Sequence, residues 1–256
     1  MSRFSLRPLL WWLPSAGMGT LSAQGRPPNE SAVTIDSVVV SSRHLESAPL
    51  VRIFLPPGYS PRATYPVLVA NDGQDMEAMK LAPAIEDLLA AGMIEPLIVV
   101  AVHSDGDRLH HYGTSGVTNA QGLGRAAGEY ERFLLEELMP LIRRRYPVAG
   151  GPAAIMGASL GGLSAFDLAW RRSEYFDRVG VFSGAFWWRT DDGSVATKQT
   201  SRIMHRRVRE TRKAPRLKAW LEAGTGSKWS RTEACWPGRV AILAPRLSKG
   251  CSLDED

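Results

Sequence analysis

Six residues, Gly157-Ala158-Ser159-Leu160-Gly161-Gly162, combine types and spacing that could do chemistry. A serine with glycines two places before and after it satisfies G-x-S-x-G, which sets a hydroxyl at the tip of a sharp strand-to-helix turn. The chemistry is attack by the serine on a carbonyl carbon. The Leu160 N–H, at a helix N-terminus, can stabilise the oxyanion that forms. Plain glycine turns that pack a helix on a sheet share this local pattern, so the flanks matter. "AAIM" before Gly157 is an apolar strand-like run, and "GGLSAFDLAWRR" after Ser159 has helical composition, which is the required context.

An oxyanion hole needs a second donor, usually from the loop after an earlier strand. "NDGQDM" follows the apolar run "VLVA", so the backbone N–H groups of Gly73 and Gln74 are the candidates. The plainer reading of the same residues is a turn that caps the next helix through Asp75.

A serine hydroxyl is a weak nucleophile until a base takes its proton. No histidine follows His205 in the sequence, and His205 lies mid-helix in "RIMHRRVRE", where a packing or surface role is expected. His103, His110 and His111 sit in the long polar stretch "HSDGDRLHHYG". Loops after parallel strands open on one rim, so one of the three could approach Ser159 if Asp105, Asp107 or Asp191 oriented it. The same residues could ligate a metal, but their spacing matches no metal motif, and no metal or cofactor is expected.

The elements that must position these groups are readable from periodicity. "VTIDSVVVSS" and "PLVRIFLP" read as two strands with no helix between them, hence an antiparallel edge. "VLVAND" and "LIVVAV" read as buried strands, and "MEAMKLAPAIEDLLAAG" as a helix ending at Gly92. "AAGEYERFLLEELMPLIRRRY" is an amphipathic helix with a stripe through Phe133, Leu134, Leu138, Leu141 and Ile142. "RVGVFSG" and "RLKAWLEAG" read as strands and "ATKQTSRIMHRRVRETR" as one helix. Strands alternating with helices imply a mostly parallel sheet covered on both faces.

Bulk properties agree with one domain: 256 residues, 44% hydrophobic and 22% charged. The net charge of +5 is spread over helix-like segments such as Arg143 to Arg145, so a nucleic-acid partner is not expected. Past the leader no apolar run reaches the roughly 18 residues of a membrane span. Cys235 and Cys251 form neither a disulfide framework nor a zinc pair. The first 25 residues carry Arg3 and Arg7, an apolar stretch broken by Pro8 and Pro14, and small residues near Ala23. They read as a secretory signal or a disordered leader, with a periplasmic or secreted location expected ahead of a cytoplasmic one.

Taken together, "VRIFLPPGYSPRATYPVLVANDGQDM", the "DR…YG" of the long loop, "GASLGGLSAFDLAW" and "VFSGAFWW" resemble an esterase branch of the α/β-hydrolases. This branch includes enterochelin-esterase-like enzymes and relatives of S-formylglutathione hydrolase. The resemblance runs from about Ser37 to Thr225. It implies the α/β-hydrolase fold and a serine hydrolase that cleaves small-molecule carboxylic esters through an acyl-enzyme. It makes Ser159 the nucleophile and Leu160 an oxyanion donor, and sets Asp72 to Gln74 by the active site. His103, Arg108, His111 and Tyr112 are expected at the substrate, with Trp187 and Trp188 lining the acyl or alcohol pocket or packing the following helix.

Two departures from the family pattern stand out. The family loop R-x-x-E-Y-G reads Arg108-Leu109-His110-His111-Tyr112-Gly113, with His111 in place of the acid. The acid expected after "LKAWLEAG" is missing from Gly224-Thr225-Gly226-Ser227-Lys228, and the tail from Gly226 is unlike the family. Residues 1–30 are therefore expected to be a leader, 31–225 a shortened hydrolase domain whose last strand and helix are missing or replaced, and 226–256 an unrelated tail, as a frame shift would produce. The expected function is ester hydrolysis, crippled or inactive as written because the triad acid and histidine are absent. The alternatives are a non-catalytic binding protein of the same fold and an acyltransferase using the same serine.

Overall fold

The computed structural model describes residues 32–104 and 106–223. The leader, Asp105, the expected acid position after residue 223 and the tail lie outside them.

Seven strands form one sheet among the described residues: β1 (Thr34–Val39), β2 (Leu50–Leu55), β3 (Val67–Ala70), β4 (Ile98–Val102), β5 (Ala153–Ala158), β6 (Phe176–Phe182) and β7 (Lys218–Glu222). Their order is β1-β2-β4-β3-β5-β6-β7. β1 and β2 pair antiparallel, and so do β2 and β4; every other pairing is parallel, so the antiparallel edge is where the two helix-free strands imply it. All five residues of β4 are buried. Ile98, Val100 and Val102 join the larger core, while Val99 and Ala101 join a smaller one on the other face. An unbroken β-branched run is what a strand covered on both sides requires.

The smaller core is closed by Ile85 of helix α1 (Leu81–Ala90) against Phe54, Ala70 and Met76. The sequence suggests a helix from Met76, but residues 73–75 form a 3-10 turn and α1 starts after Lys80, which has φ 55°. Pro83 explains the late start. It has no N–H to give Met79, so it is tolerated only in the first turn.

The larger core receives α3 (Ala127–Arg132), a π-helical segment at Phe133–Leu138 and α4 (Met139–Arg145). They follow one another where a single amphipathic helix is expected, and Phe133, Leu134, Leu138 and Ile142 are fully buried. The π segment ends two residues before Pro140 of α4, whose ring and missing N–H disturb the preceding turn. Helix α5 (Ser159–Arg171) follows β5 directly.

One expected helix is in fact two, α6 (Val195–Thr200) and α7 (Ile203–Glu210). Arg202 is extended (φ −61°, ψ 117°). The backbone there bonds to the chain at 188–190 instead: Thr190 donates to Ser201 (3.1 Å) and Ile203 to Trp188 (3.0 Å). The polar stretch after β4, read as loop, contains one helical turn, α2 (Arg108–His111).

Between β3 and β5 the chain changes its direction of travel across the sheet. The crevice outside the carboxyl ends of strands at such a point is where open α/β sheets bind ligands.

Candidate active site

Three residues without glycine's freedom adopt the left-handed region within two residues of a parallel strand's end: Asp72 after β3 (φ 57°), Ser159 after β5 (52°) and Ser183 after β6 (48°). Such backbone costs about 1–3 kcal/mol each and persists where the surroundings enforce it. At Ser159 the enforcement is close packing. A β-carbon on Gly157 would overlap the Gly161 carbonyl and lie 2.8 Å from the Gly162 nitrogen. One on Gly161 would lie 2.6 Å from Asp72 Oδ2. Ser159 itself is exposed, while Leu160 is buried. The turn is tied to the loop after β6, because Ala185 N–H donates to the Ser159 carbonyl at 2.9 Å. With α5 thirteen residues long, its first N–H groups carry partial positive charge beside the hydroxyl.

The β3 loop lies against this turn. Asn71, buried, donates from Nδ2 to the Gly161 carbonyl (2.8 Å) and accepts at Oδ1 from the Tyr130 hydroxyl (2.7 Å). Asp72 receives both fork nitrogens of Arg108, at 2.6 and 2.7 Å. Its own N–H donates to the Tyr112 hydroxyl (3.0 Å), and Arg108 sits 5.1 Å over the Tyr112 ring. Burial pushes the hydroxyls of Tyr112 and Tyr130 well up, so both stay protonated. Gly73 and Gln74 open the 3-10 turn, and the first N–H groups of such a turn have no acceptor inside it.

These contacts change how several expected residues act. Tyr112, expected at the substrate, is 1% exposed and supports the loop from beneath. Asp72 is 4% exposed with both carboxylate oxygens taken by Arg108. His111 is buried, with Nε2 3.8 Å from Asp107 Oδ2. Trp188 is buried too: β-carbons on Gly113 and Gly124 would lie 3.4 and 3.6 Å from its indole. Trp187 is 37% exposed, its ring 6.0 Å from that of Trp188.

No histidine among the described residues hydrogen-bonds to the Ser159 hydroxyl. His44 is occupied by Glu136 (3.0 Å) and His110 by Arg125 (2.7 Å). His103 packs against Gly73, with Nε2 buried and without a partner among the described residues. Burial, then Arg52, holds its pKa below the ordinary value. His205 faces the Phe186 ring edge-on at 6.4 Å, as its mid-helix place implies, and burial pushes its pKa down to about 4. Asp191 accepts from the N–H of Gly193 (2.7 Å). Among the described residues no group of His, Cys, Asp and Glu could hold a metal ion.

Asn71, Tyr130, Ser104 and Ser183 carry no motif and are not singled out by spacing. Asn71 had one available signal, its place immediately after a buried strand and before "DGQ".

Residues 42–243 match the family described as putative esterase, which extends past Thr225 into the segment outside the described residues. The uncharacterized protein YjcH of Bacillus subtilis (strain 168) is 28% identical over 133 residues, 50% of this chain and 52% of that protein. Enterochelin esterase from Shigella flexneri shares the fold with TM-score 0.60 at 21% identity, over 74% of this chain and 45% of that one. The BES protein from Bacillus cereus does so with TM-score 0.56 at 22% identity, over 81% and 79%. The chain thus spans about half the length of YjcH and of the Shigella enzyme. The described sheet and helices have the architecture of these two structures, the α/β-hydrolase fold. On its match over most of its length, the chain belongs to the putative esterase family.

Proposed function

We propose that this protein hydrolyses small-molecule carboxylic esters through an acyl-enzyme on Ser159. One observation carries the reading: an exposed serine held at φ 52° where β5 meets α5, between glycines with no room for a side chain. In this reaction Ser159 Oγ attacks the ester carbonyl carbon. The oxyanion accepts hydrogen bonds from the Leu160 N–H and from Gly73 or Gln74. The alcohol leaves with a proton, and water then attacks the acyl group. Membership of an esterase family and the fold shared with the Shigella enzyme support this chemistry.

The base is the weak part. Among the described residues no histidine hydrogen-bonds to Ser159. Without such a base, turnover rests on binding and the oxyanion donors, about 10⁶-fold below a complete triad. The test is p-nitrophenyl acetate hydrolysis by this chain and by Ser159→Ala, with and without added imidazole as an external base. The expected result is slow turnover that imidazole raises and Ser159→Ala removes. Equal rates for both proteins would overturn the nucleophile assignment. Saturable ester binding without any Ser159-dependent turnover would favour the binding-protein reading, which a Ser159 hydroxyl with no histidine partner among the described residues already invites.

A further inference from the structure

We infer that Gln74 is a positioning residue: its side-chain amide fastens the oxyanion loop after β3 to the loop after β4. The inference rests on the reading of Ser159 and this loop given above.

The amide makes contacts on both sides. Gln74 Nε2 donates to Ser104 Oγ (2.9 Å) and to Asp72 Oδ1 (3.3 Å), and Ser104 N–H donates back to Gln74 Oε1 (3.0 Å). Both the donor and the acceptor of the amide are thus engaged across the two loops. Directly beneath, Gly73 has no clearance. A β-carbon there would lie 2.7 Å from the Ala101 carbonyl and 2.8 Å from His103 Cδ2. The loop is therefore held from three directions: the Ala101–His103 chain under Gly73, Ser104 beside Gln74, and Arg108 and Tyr112 on Asp72. With its side chain committed to Ser104 and Asp72, Gln74 serves the oxyanion through its backbone N–H. The side chain sets where that N–H points. An error of about 1 Å in such a donor costs on the order of 10²-fold in rate.

The introduced acid in Gln74→Glu separates this role from a general structural one. Ionised, its carboxylate can only accept from Ser104, loses the donor to Asp72 Oδ1 and faces the Asp72 carboxylate; protonated, it regains the donor. Among the described residues the charged and titratable groups around position 74 are Asp72 and Asp75 on its own loop, His103 with Arg52 beyond it, and Arg108 of α2. All are present in both proteins, so the variant-to-parent ratio isolates the new carboxyl.

The experiment measures the rate of Ser159 phosphonylation by a fluorophosphonate across about pH 5 to 9, with thermal melts to confirm folding. Gln74→Ala should react roughly tenfold more slowly, the equivalent of one or two hydrogen bonds. The double variant with Ser104→Ala should be no slower than Gln74→Ala alone, within about twofold. The Gln74→Glu ratio should climb towards one as the pH falls. A ratio that is flat with pH, additive loss in the double variant, or an unchanged rate in Gln74→Ala overturns the proposal. Should the parent not react at Ser159 at all, the hydrolase reading itself fails. Amide exchange then judges the clamp: faster exchange at Gly73 and Gln74 in Gln74→Ala supports it, and unchanged exchange overturns it.

Discussion

The Asp72–Arg108 pair shows how one contact redirects the roles of several residues. Arg108 gives two hydrogen bonds to a carboxylate that is almost wholly buried. Removing the cation leaves that charge without its partner. Arg108 is about a third exposed, so water takes up part of the loss. Arg108→Ala is expected to cost about 2–3 kcal/mol in urea unfolding. Arg108→Lys should recover only part of it, because an ammonium cannot make both fork bonds. Equal stability of all three proteins would show the pair to be incidental. The G-x-S-x-G spacing that identifies Ser159 is local, whereas Asp72 and Arg108 are 36 residues apart. Motif reading could therefore place both near the site but could not see that they bind each other.

His205 makes a separate residue-scale prediction. Its pKa falls from 6.5 to about 4 on folding, through burial first and then Arg202 and Arg209. Between those values the unfolded chain binds a proton that the folded one refuses, so stability declines as pH falls from 6.5 towards 4. The slope is at most about 1.4 kcal/mol per pH unit. His205→Phe should flatten that part of the stability–pH curve. An unchanged slope would mean that His205 is solvated in the folded protein.

Among the elements, the β5–α5 junction is the most constrained. Gly157 faces the backbone of Gly161 and Gly162, which cannot move aside as a flexible side chain could. Gly157→Ala is expected to lose more than about 3 kcal/mol, read as a fall in melting temperature. A melting temperature equal to the parent's would mean that the turn is looser than its packing indicates. Strands were the most legible elements, since β4's five apolar residues and the alternation along β7 leave little choice of state. Helix boundaries were less so. Pro83 and Pro140 each carry a backbone constraint that an apolar stripe does not register. The division into α6 and α7 depends on hydrogen bonds from the distant 188–190 segment, which no window of local sequence contains.

At the scale of the whole molecule, the sheet order brings the β3, β5 and β6 loops to one rim, and the strained backbone of all three lies there. A second set of contacts braces the helices behind that rim. Asp167 of α5 takes Arg171 and Arg207 of α7, and accepts from the Ser115 N–H (3.1 Å). Glu131 of α3 takes Arg171 and Arg172. The fold class and the strand–turn–helix placement of Ser159, our proposed nucleophile, were legible because each leaves a local signature. A base was not, because its position depends on long-range packing that no local window of sequence contains.

The central claim is that Ser159 is an activated or activatable nucleophile for esters. Peptide mapping by mass spectrometry after reaction with a fluorophosphonate tests it most directly. The account predicts one adduct per chain, located on Ser159 and lost in Ser159→Ala, forming slowly and faster with added imidazole. An adduct on another residue, or none after prolonged reaction with imidazole present, would contradict it.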